Sequence, residues 1–259
     1  MAKNKVFKSM DGNEAASYAA YAFTEVATIY PITPSSPMAD HTDQWSAHGK
    51  KNIFGRPVKL MEMQAESGAC GAMQGALEAG SLAATYTSSQ GLMLMIPPMF
   101  RIAGLQLPAV MHVAARTVGV HSVSIFGDHQ DVMACRQTGW SQLASASVQE
   151  CMDLAAVAHL SAIKGKVPVQ HFFDGFRTSH EIQKIEVLDY DDLKELVDHD
   201  AIDAFRARAM NPEHPTIRHT LENDDTLFQH REACNPTYDA FPAVVEEQMA
   251  KINALTGRN

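Results

Sequence analysis

No CxxC pair occurs in this sequence: Cys70, Cys135, Cys151 and Cys234 stand far apart, so neither a zinc ribbon nor a run of iron–sulfur ligands can be read from it. Any redox cluster serving such a chain must be ligated elsewhere. The absence of a Walker pattern, of GxGxxG and of the nucleophile-elbow GxSxG leaves a P-loop, a dinucleotide fingerprint and a serine hydrolase without support. No apolar run approaches the roughly 20 residues that a membrane span requires. Basic residues are in deficit, 21 against 30 acidic for a net charge of −9, which argues against a nucleic-acid surface. The polar, basic stretch Met1 to Met10 shows no cleavable signal. With 14 methionines and unpaired-looking cysteines, it favours a reducing cytoplasm.

What is present can build a core. At 259 residues and 46% hydrophobic content, the chain suffices for one large α/β domain or two small ones. Asp11 followed by Glu14 resembles a capping box, and Ala15, Ala19, Ala22 and Val26 recur at helical spacing, predicting a helix over Gly12 to Ala27. A strand at Thr28 to Tyr30 then enters Pro31-Ile-Thr-Pro-Ser-Ser-Pro37, whose three prolines force a rigid loop. Ser36 is expected to cap the next helix, with Pro37 at its first position.

Short apolar runs at Val58 to Met63, Ala83 to Thr87, Leu107 to Ala115 and Val167 to Phe173 read as strands alternating with helical stretches, which predicts βαβ units and a parallel sheet flanked by helices. Gly104 before Leu107-Pro108 and Gly165 before Val167-Pro168 each suggest a helix stop, a turn and a strand start. Val148, Met152, Ala156, Leu160 and Ile163 mark the core face of a helix capped by Ser147. From about residue 190 the texture becomes acidic and amphipathic, then irregular around Pro212, Pro215 and Pro236. The expected organisation is an α/β domain over 1–189 with a C-terminal helical and irregular extension of the same domain over 190–259.

Three places could carry chemistry. The proline loop presents Thr33, Ser35 and Ser36 at a carboxyl edge of the sheet, where open α/β sheets bind ligands, or its hydroxyls merely cap a helix. Glu66 opens a helix rich in small residues, where it could serve a site or only complement the helix dipole. Arg116 ends an apolar strand and is placed to grip a carboxylate, or to pair with nearby acids. His121, Asp128, His129 and Asp131 match no familiar metal spacing, and Asp128 reads better as a helix cap.

In order along the chain, YPITPSSP (Tyr30 to Pro37), EMQAESG from Glu62, TSSQGL from Thr87, SIFGDHQD from Ser124 and HFFDGFRTSHEIQKI from His171 resemble the N-terminal domain of pyruvate:ferredoxin (flavodoxin) oxidoreductases, nearly end to end. The resemblance implies a thiamine diphosphate-binding, pyrimidine-type fold. It also implies roles. Glu66 would share a proton with the cofactor's aminopyrimidine ring, Thr33 would hydrogen-bond pyruvate, and Arg116 would pair with the pyruvate carboxylate. The implied reaction is oxidative decarboxylation of pyruvate with coenzyme A to acetyl-CoA and carbon dioxide, with electrons leaving through iron–sulfur clusters to ferredoxin or flavodoxin.

Members of that family in single-chain form are several times longer, and this chain lacks their GDG-containing diphosphate and magnesium domain and their ferredoxin-like cysteine runs. Magnesium and [4Fe-4S] clusters are therefore expected in the full enzyme without ligands from this chain. A fragment, an excised domain or one separate subunit is expected, closing at Thr256-Gly-Arg258, inactive alone, and homo-oligomeric when complete. The rival expectations are a non-catalytic assembly module, a component of another 2-oxoacid:ferredoxin oxidoreductase, or a self-contained transferase-like thiamine enzyme.

Overall fold

The computed structural model describes residues 5–218 and 220–258. The first half of the chain runs β1 (Phe7–Met10), α1 (Gly12–Phe23), β2 (Val26–Ile29), α2 (Ser36–Ala47), β3 (Lys59–Glu62), α3 (Glu66–Glu78), β4 (Ala83–Thr87), α4 (Ser89–Leu94), α5 (Ile96–Gly104) and β5 (Val110–Ala115). Then come α6 (Gln130–Ala134), β6 (Ser141–Ser145), α7 (Val148–Gly165), β7 (Val169–Asp174), β8 (Gln183–Glu186), α8 (Tyr190–Leu196), α9 (His199–Ala207), α10 (Asp224–Glu232) and α11 (Asn235–Thr256).

Six strands form a parallel sheet in the order β3-β2-β4-β5-β7-β6, while β1 and β8 pair antiparallel apart from it. Parallel crossovers are right-handed, so connections running toward β3 and those running toward β6 lay their helices on opposite faces. Accordingly α1 packs against both α2 and α7 in one layer, and α3 packs against α4 and α5 in the other. The chain leaves β2 toward β3 but leaves β4 toward β5, which opens a crevice between β2 and β4 at their carboxyl ends.

Local chemistry explains most element boundaries. The Asp11 carboxylate accepts the Glu14 N–H at 2.8 Å, so α1 starts as predicted. It stops short of Ala27 because Thr24 turns extended and the Val-Ala-Thr-Ile run becomes β2. Ser147 likewise accepts the Glu150 N–H at 3.2 Å and opens α7. Ser36 does not cap α2. It is the first helical residue, and the preceding Ser35 bonds its hydroxyl back to the Ile32 carbonyl at 2.8 Å.

The predicted strands form: β3, β5 and β7 start one to three residues late, Ala83 to Thr87 keeps its predicted bounds as β4, and β2 starts at Val26, ahead of the predicted Thr28. Pro108 and Pro168 stand just before β5 and β7, where a missing N–H breaks no ladder bond. The repeated turn before each proline uses a left-handed residue, Gln106 (φ 51°) and Lys166 (φ 57°), rather than the glycine. Strand β6, Ser-Gln-Leu-Ala-Ser, carries no apolar alternation and was invisible to periodicity.

Beyond residue 190 the chain is mostly helical, and Pro236 sits in the first turn of α11 rather than in irregular backbone. Helix α11 packs along α7, and Phe241 fills the space over Gly165. Tyr190 joins Tyr18 and Trp45 around the Lys50 ammonium, whose pKa burial pushes down to about 8. The end of the chain is clamped: the Arg258 guanidinium grips Asp153 of α7 with bonds of 2.7 and 2.8 Å and also meets Glu186. Burial pushes the Asp153 carboxyl up, and Arg258 opposes that shift. Arg258→Ala leaves a buried carboxylate uncompensated and is expected to lower the unfolding free energy by about 2–3 kcal/mol, seen as an earlier denaturant midpoint at constant slope. An unchanged midpoint would mean that solvent already screens this pair.

Candidate functional site

Residues far apart in sequence converge at the carboxyl edge of the sheet. Each leaves the end of a different strand: Thr33 in the loop after β2, Glu66 after β3, Ser89 and Gln90 after β4, and Arg116 directly after β5. The parallel register brings these exits to one rim, which is why strands distributed along the chain can build one site.

Arg116 is buried, 8% exposed. Its guanidinium donates to the Thr33 carbonyl at 2.6 Å and to Gln90 Oε1 at 3.0 Å, and its Nε is buried with no partner. Burial draws its pKa below the ordinary arginine value, opposed by the charge of Asp131. The fork is thus held by neutral oxygens alone, with the counter-charge behind it.

That counter-charge is the residue the sequence reading missed. Asp131 is fully buried at the start of α6. Its Oδ2 accepts the N–H of Ser89 at 2.7 Å and of Arg116 at 3.0 Å, and its Oδ1 accepts the N–H of Val132 at 2.8 Å. Burial pushes this carboxyl up, and the backbone donors pull against that shift. One side chain therefore pins the ends of β5 and β4 and the start of α6. Its low exposure gave no sequence signal, since an aspartate in an Asp-His-Gln-Asp stretch is usually a solvated cap. Asp128 does accept the Gln130 N–H at 2.7 Å, as a capping residue would, although His129 occupies the cap position itself. His129 bonds Asp174 at 2.7 Å. Among the described residues no group of three or more His, Cys, Asp or Glu side chains is arranged to hold a metal ion.

Glu66 is the first residue of α3 and 7% exposed. Among the described residues none donates a hydrogen bond to its carboxylate, which leaves its oxygens open to a donor from a ligand. Gly91 in α4 lies against it. A Cβ there would fall 2.7 Å from Glu66 Oε1 and 2.9 Å from Thr87 Oγ1, and that hydroxyl is itself buried without a partner. The first turn of α4 thus has Glu66 on one side, at Gly91, and Arg116 on the other, at Gln90. Thr33 is exposed, and only its carbonyl engages Arg116. Ser36 stands in α2 and joins none of these contacts. Beyond Arg116 the loop toward α6 carries Val120, Val123, Ile125 and Phe126 exposed on the rim.

Comparison with known proteins places this chain in a family. The family described as pyruvate flavodoxin/ferredoxin oxidoreductase, thiamine diphosphate-binding, matches residues 18–250. A pyruvate-flavodoxin oxidoreductase of Enterobacter agglomerans is 63% identical over 97% of this chain, and a pyruvate:ferredoxin oxidoreductase of Moorella thermoacetica 61% over 97%. A mitochondrial pyruvate dehydrogenase [NADP(+)] of Euglena gracilis is 51% identical over 98% of it. The chain spans 21%, 22% and 14% of these relatives, respectively. Among solved structures, a 2-oxoglutarate:ferredoxin oxidoreductase from Magnetococcus marinus shares the fold, with a TM-score of 0.63 and 20% identity over 73% of this chain and 32% of that one. The chain belongs to the pyruvate flavodoxin/ferredoxin oxidoreductase family as its thiamine diphosphate-binding domain.

Proposed function

We propose that this chain supplies the pyruvate and aminopyrimidine half of a thiamine diphosphate site in an enzyme that converts pyruvate and coenzyme A to acetyl-CoA and carbon dioxide. The observation that carries the reading is Arg116: a buried guanidinium whose fork meets only neutral oxygens and whose Nε has no partner is prepared for an anionic ligand. A 2-oxoacid carboxylate meets that need with two parallel bonds. Thr33, next to the fork and exposed, would then donate its hydroxyl to the same ligand and fix the keto carbon.

The residues around Glu66 fit the pyrimidine portion of the cofactor. A carboxylate without a protein donor suits a ring nitrogen that shares a proton with it, and Gly91 lets α4 pack against that carboxylate without displacing it. When bound, thiamine diphosphate supplies the carbon nucleophile and electron sink that decarboxylation needs. Glu66 would hold and return the proton, Arg116 and Thr33 would hold the substrate, and α4 would set the distance between them.

Magnesium, [4Fe-4S] clusters, coenzyme A and the ferredoxin or flavodoxin acceptor belong in this reading to the remaining domains, in a homo-oligomeric, cytoplasmic enzyme. The described cysteines are all free thiols, which suits a reducing compartment. Residues from 190 onward are read as an extension of the same domain, held by α11 on α7. The exposed apolar rim at Val120, Val123 and Phe126 also fits an assembly module that contributes contacts without chemistry. The test is anaerobic, pyruvate- and coenzyme A-dependent reduction of a viologen dye by this chain with thiamine diphosphate and magnesium, before and after addition of the remaining domains. Activity only after addition, abolished by Arg116→Ala, is the expected result. Full activity of the Arg116→Ala assembly would leave the assembly role alone standing.

A further inference from the structure

Gln90 occupies the second position of α4, with its side chain half-buried beside Arg116. Its Oε1 accepts from the Arg116 guanidinium at 3.0 Å and lies beside the Ser89 hydroxyl, whose single proton is shared between this oxygen and the Thr117 carbonyl. This fixes the amide orientation, because the NH2 group in that place would oppose a cation. The other end of the amide, Nε2, meets no acceptor among the described residues. An amide donor with two free N–H groups stands next to a guanidinium that awaits an anion.

The backbone under it is held unusually firmly. Ser89 adopts a left-handed conformation (φ 50°), its N–H is taken by buried Asp131 and its hydroxyl reaches the Thr117 carbonyl at 2.5 Å. From the other side Gly119 closes on the same amide. A Cβ built on Gly119 would fall 2.2 Å from Gln90 Nε2. Its φ is outside the positive range, so glycine is needed here for space rather than for conformation. An added methyl would force the Gln90 amide to swing and to surrender its bond to Arg116.

We infer that Gln90 is a further substrate-contacting residue, whose amide N–H donates to the 2-oxoacid beside the Arg116 fork, and that Gly119 lacks a side chain to leave that amide in place. Three donors from two side chains then converge on one oxygen-rich ligand, and the neutral amide adds direction without adding charge. The inference rests on Arg116 being the carboxylate-binding residue.

The experiment is steady-state kinetics with pyruvate in the assembled enzyme, with thiamine diphosphate affinity measured alongside. Gln90→Glu places a carboxylate against Arg116 and against the substrate's own, and is expected to raise KM roughly 100-fold while kcat and cofactor affinity stay within about twofold. Gly119→Ala should move KM the same way by roughly tenfold, through displacement of the amide. A KM within about twofold of the parent in both variants, with Arg116→Lys raising it, overturns the role of Gln90 alone. If Arg116→Lys also leaves KM unchanged, the carboxylate-binding reading fails, and the Gln90 inference with it. Should Gln90→Glu not assemble, Gly119→Ala decides by the same criterion.

Discussion

Glu66→Gln in the assembled enzyme is expected to reduce turnover with pyruvate by about 100- to 10,000-fold, the usual range for loss of a positioned acid–base group. Glutamine keeps the size of the side chain, so the contact with Gly91 and the opening of α3 survive. What it loses is the capacity to hold and return a proton. Because no described residue donates to the Glu66 carboxylate, no internal hydrogen bond breaks, and thermal stability should change by no more than about 1 kcal/mol. The pairing of a large kinetic loss with a small stability change distinguishes a chemical role from a dipole-complementing one. If Glu66 only complements the helix, turnover stays near normal while stability falls by about 0.3–1 kcal/mol.

Acidification should unfold the domain through its interior rather than its surface. His112 on β5, His171 on β7 and His159 on α7 are buried and form one chain: His112 Nδ1 lies 2.9 Å from His171 Nδ1 and His112 Nε2 lies 3.1 Å from His159 Nε2. His171 Nε2 continues to the Ser145 hydroxyl at 2.7 Å. Wherever two of these rings meet, one nitrogen must accept, and an imidazole can accept only while it is neutral. Burial pushes His159 and His171 down to about 3, and burial with its two histidine neighbours pushes His112 well below 6.5. The folded values lie below the unfolded ones, so this stability is complete above about pH 6.5 and drains as the pH falls toward the folded values.

Each histidine contributes at most about 1.4 kcal/mol per pH unit, so three give about 4 kcal/mol per unit, against a total domain stability of about 5–15 kcal/mol. Buried Asp131 and Asp153 have raised values and act in the opposite sense, since folding favours their protonated forms. Denaturant melts at a series of pH values should therefore lose stability steeply between pH 6.5 and 4.5, with unfolding complete without denaturant at about pH 4–5. His159→Gln should reduce that slope by about a third. A flat profile over the same window would show that the imidazoles tolerate charge where they are.

The half of the fold that was readable rests on short-range rules. Asp11 with Glu14, Ser147 with Glu150, and the apolar runs ending at Thr87 and Ala115 announce themselves because capping and strand formation are decided within a few residues. Strand β6 did not, because its Ser-Gln-Leu-Ala-Ser pattern becomes a strand only when β7 offers a parallel partner. Ser36 shows the complementary error: a residue type suited to capping stands inside the helix because Ser35 turns back to Ile32 instead.

Chain order and residue type by themselves determined the α/β alternation, the proline loop and three of the polar groups at the rim, Thr33, Glu66 and Arg116. Only the tertiary structure decided what those groups touch. The crossing of chain direction between β2 and β4 brings Thr33 to Arg116, and α4 between them sets Gln90 against one and Gly91 against the other. The roles of Asp131 and of the histidine chain emerged there as well, since an aspartate looks like a surface cap and a histidine like a scattered residue until burial removes water and obliges each to find its partners inside.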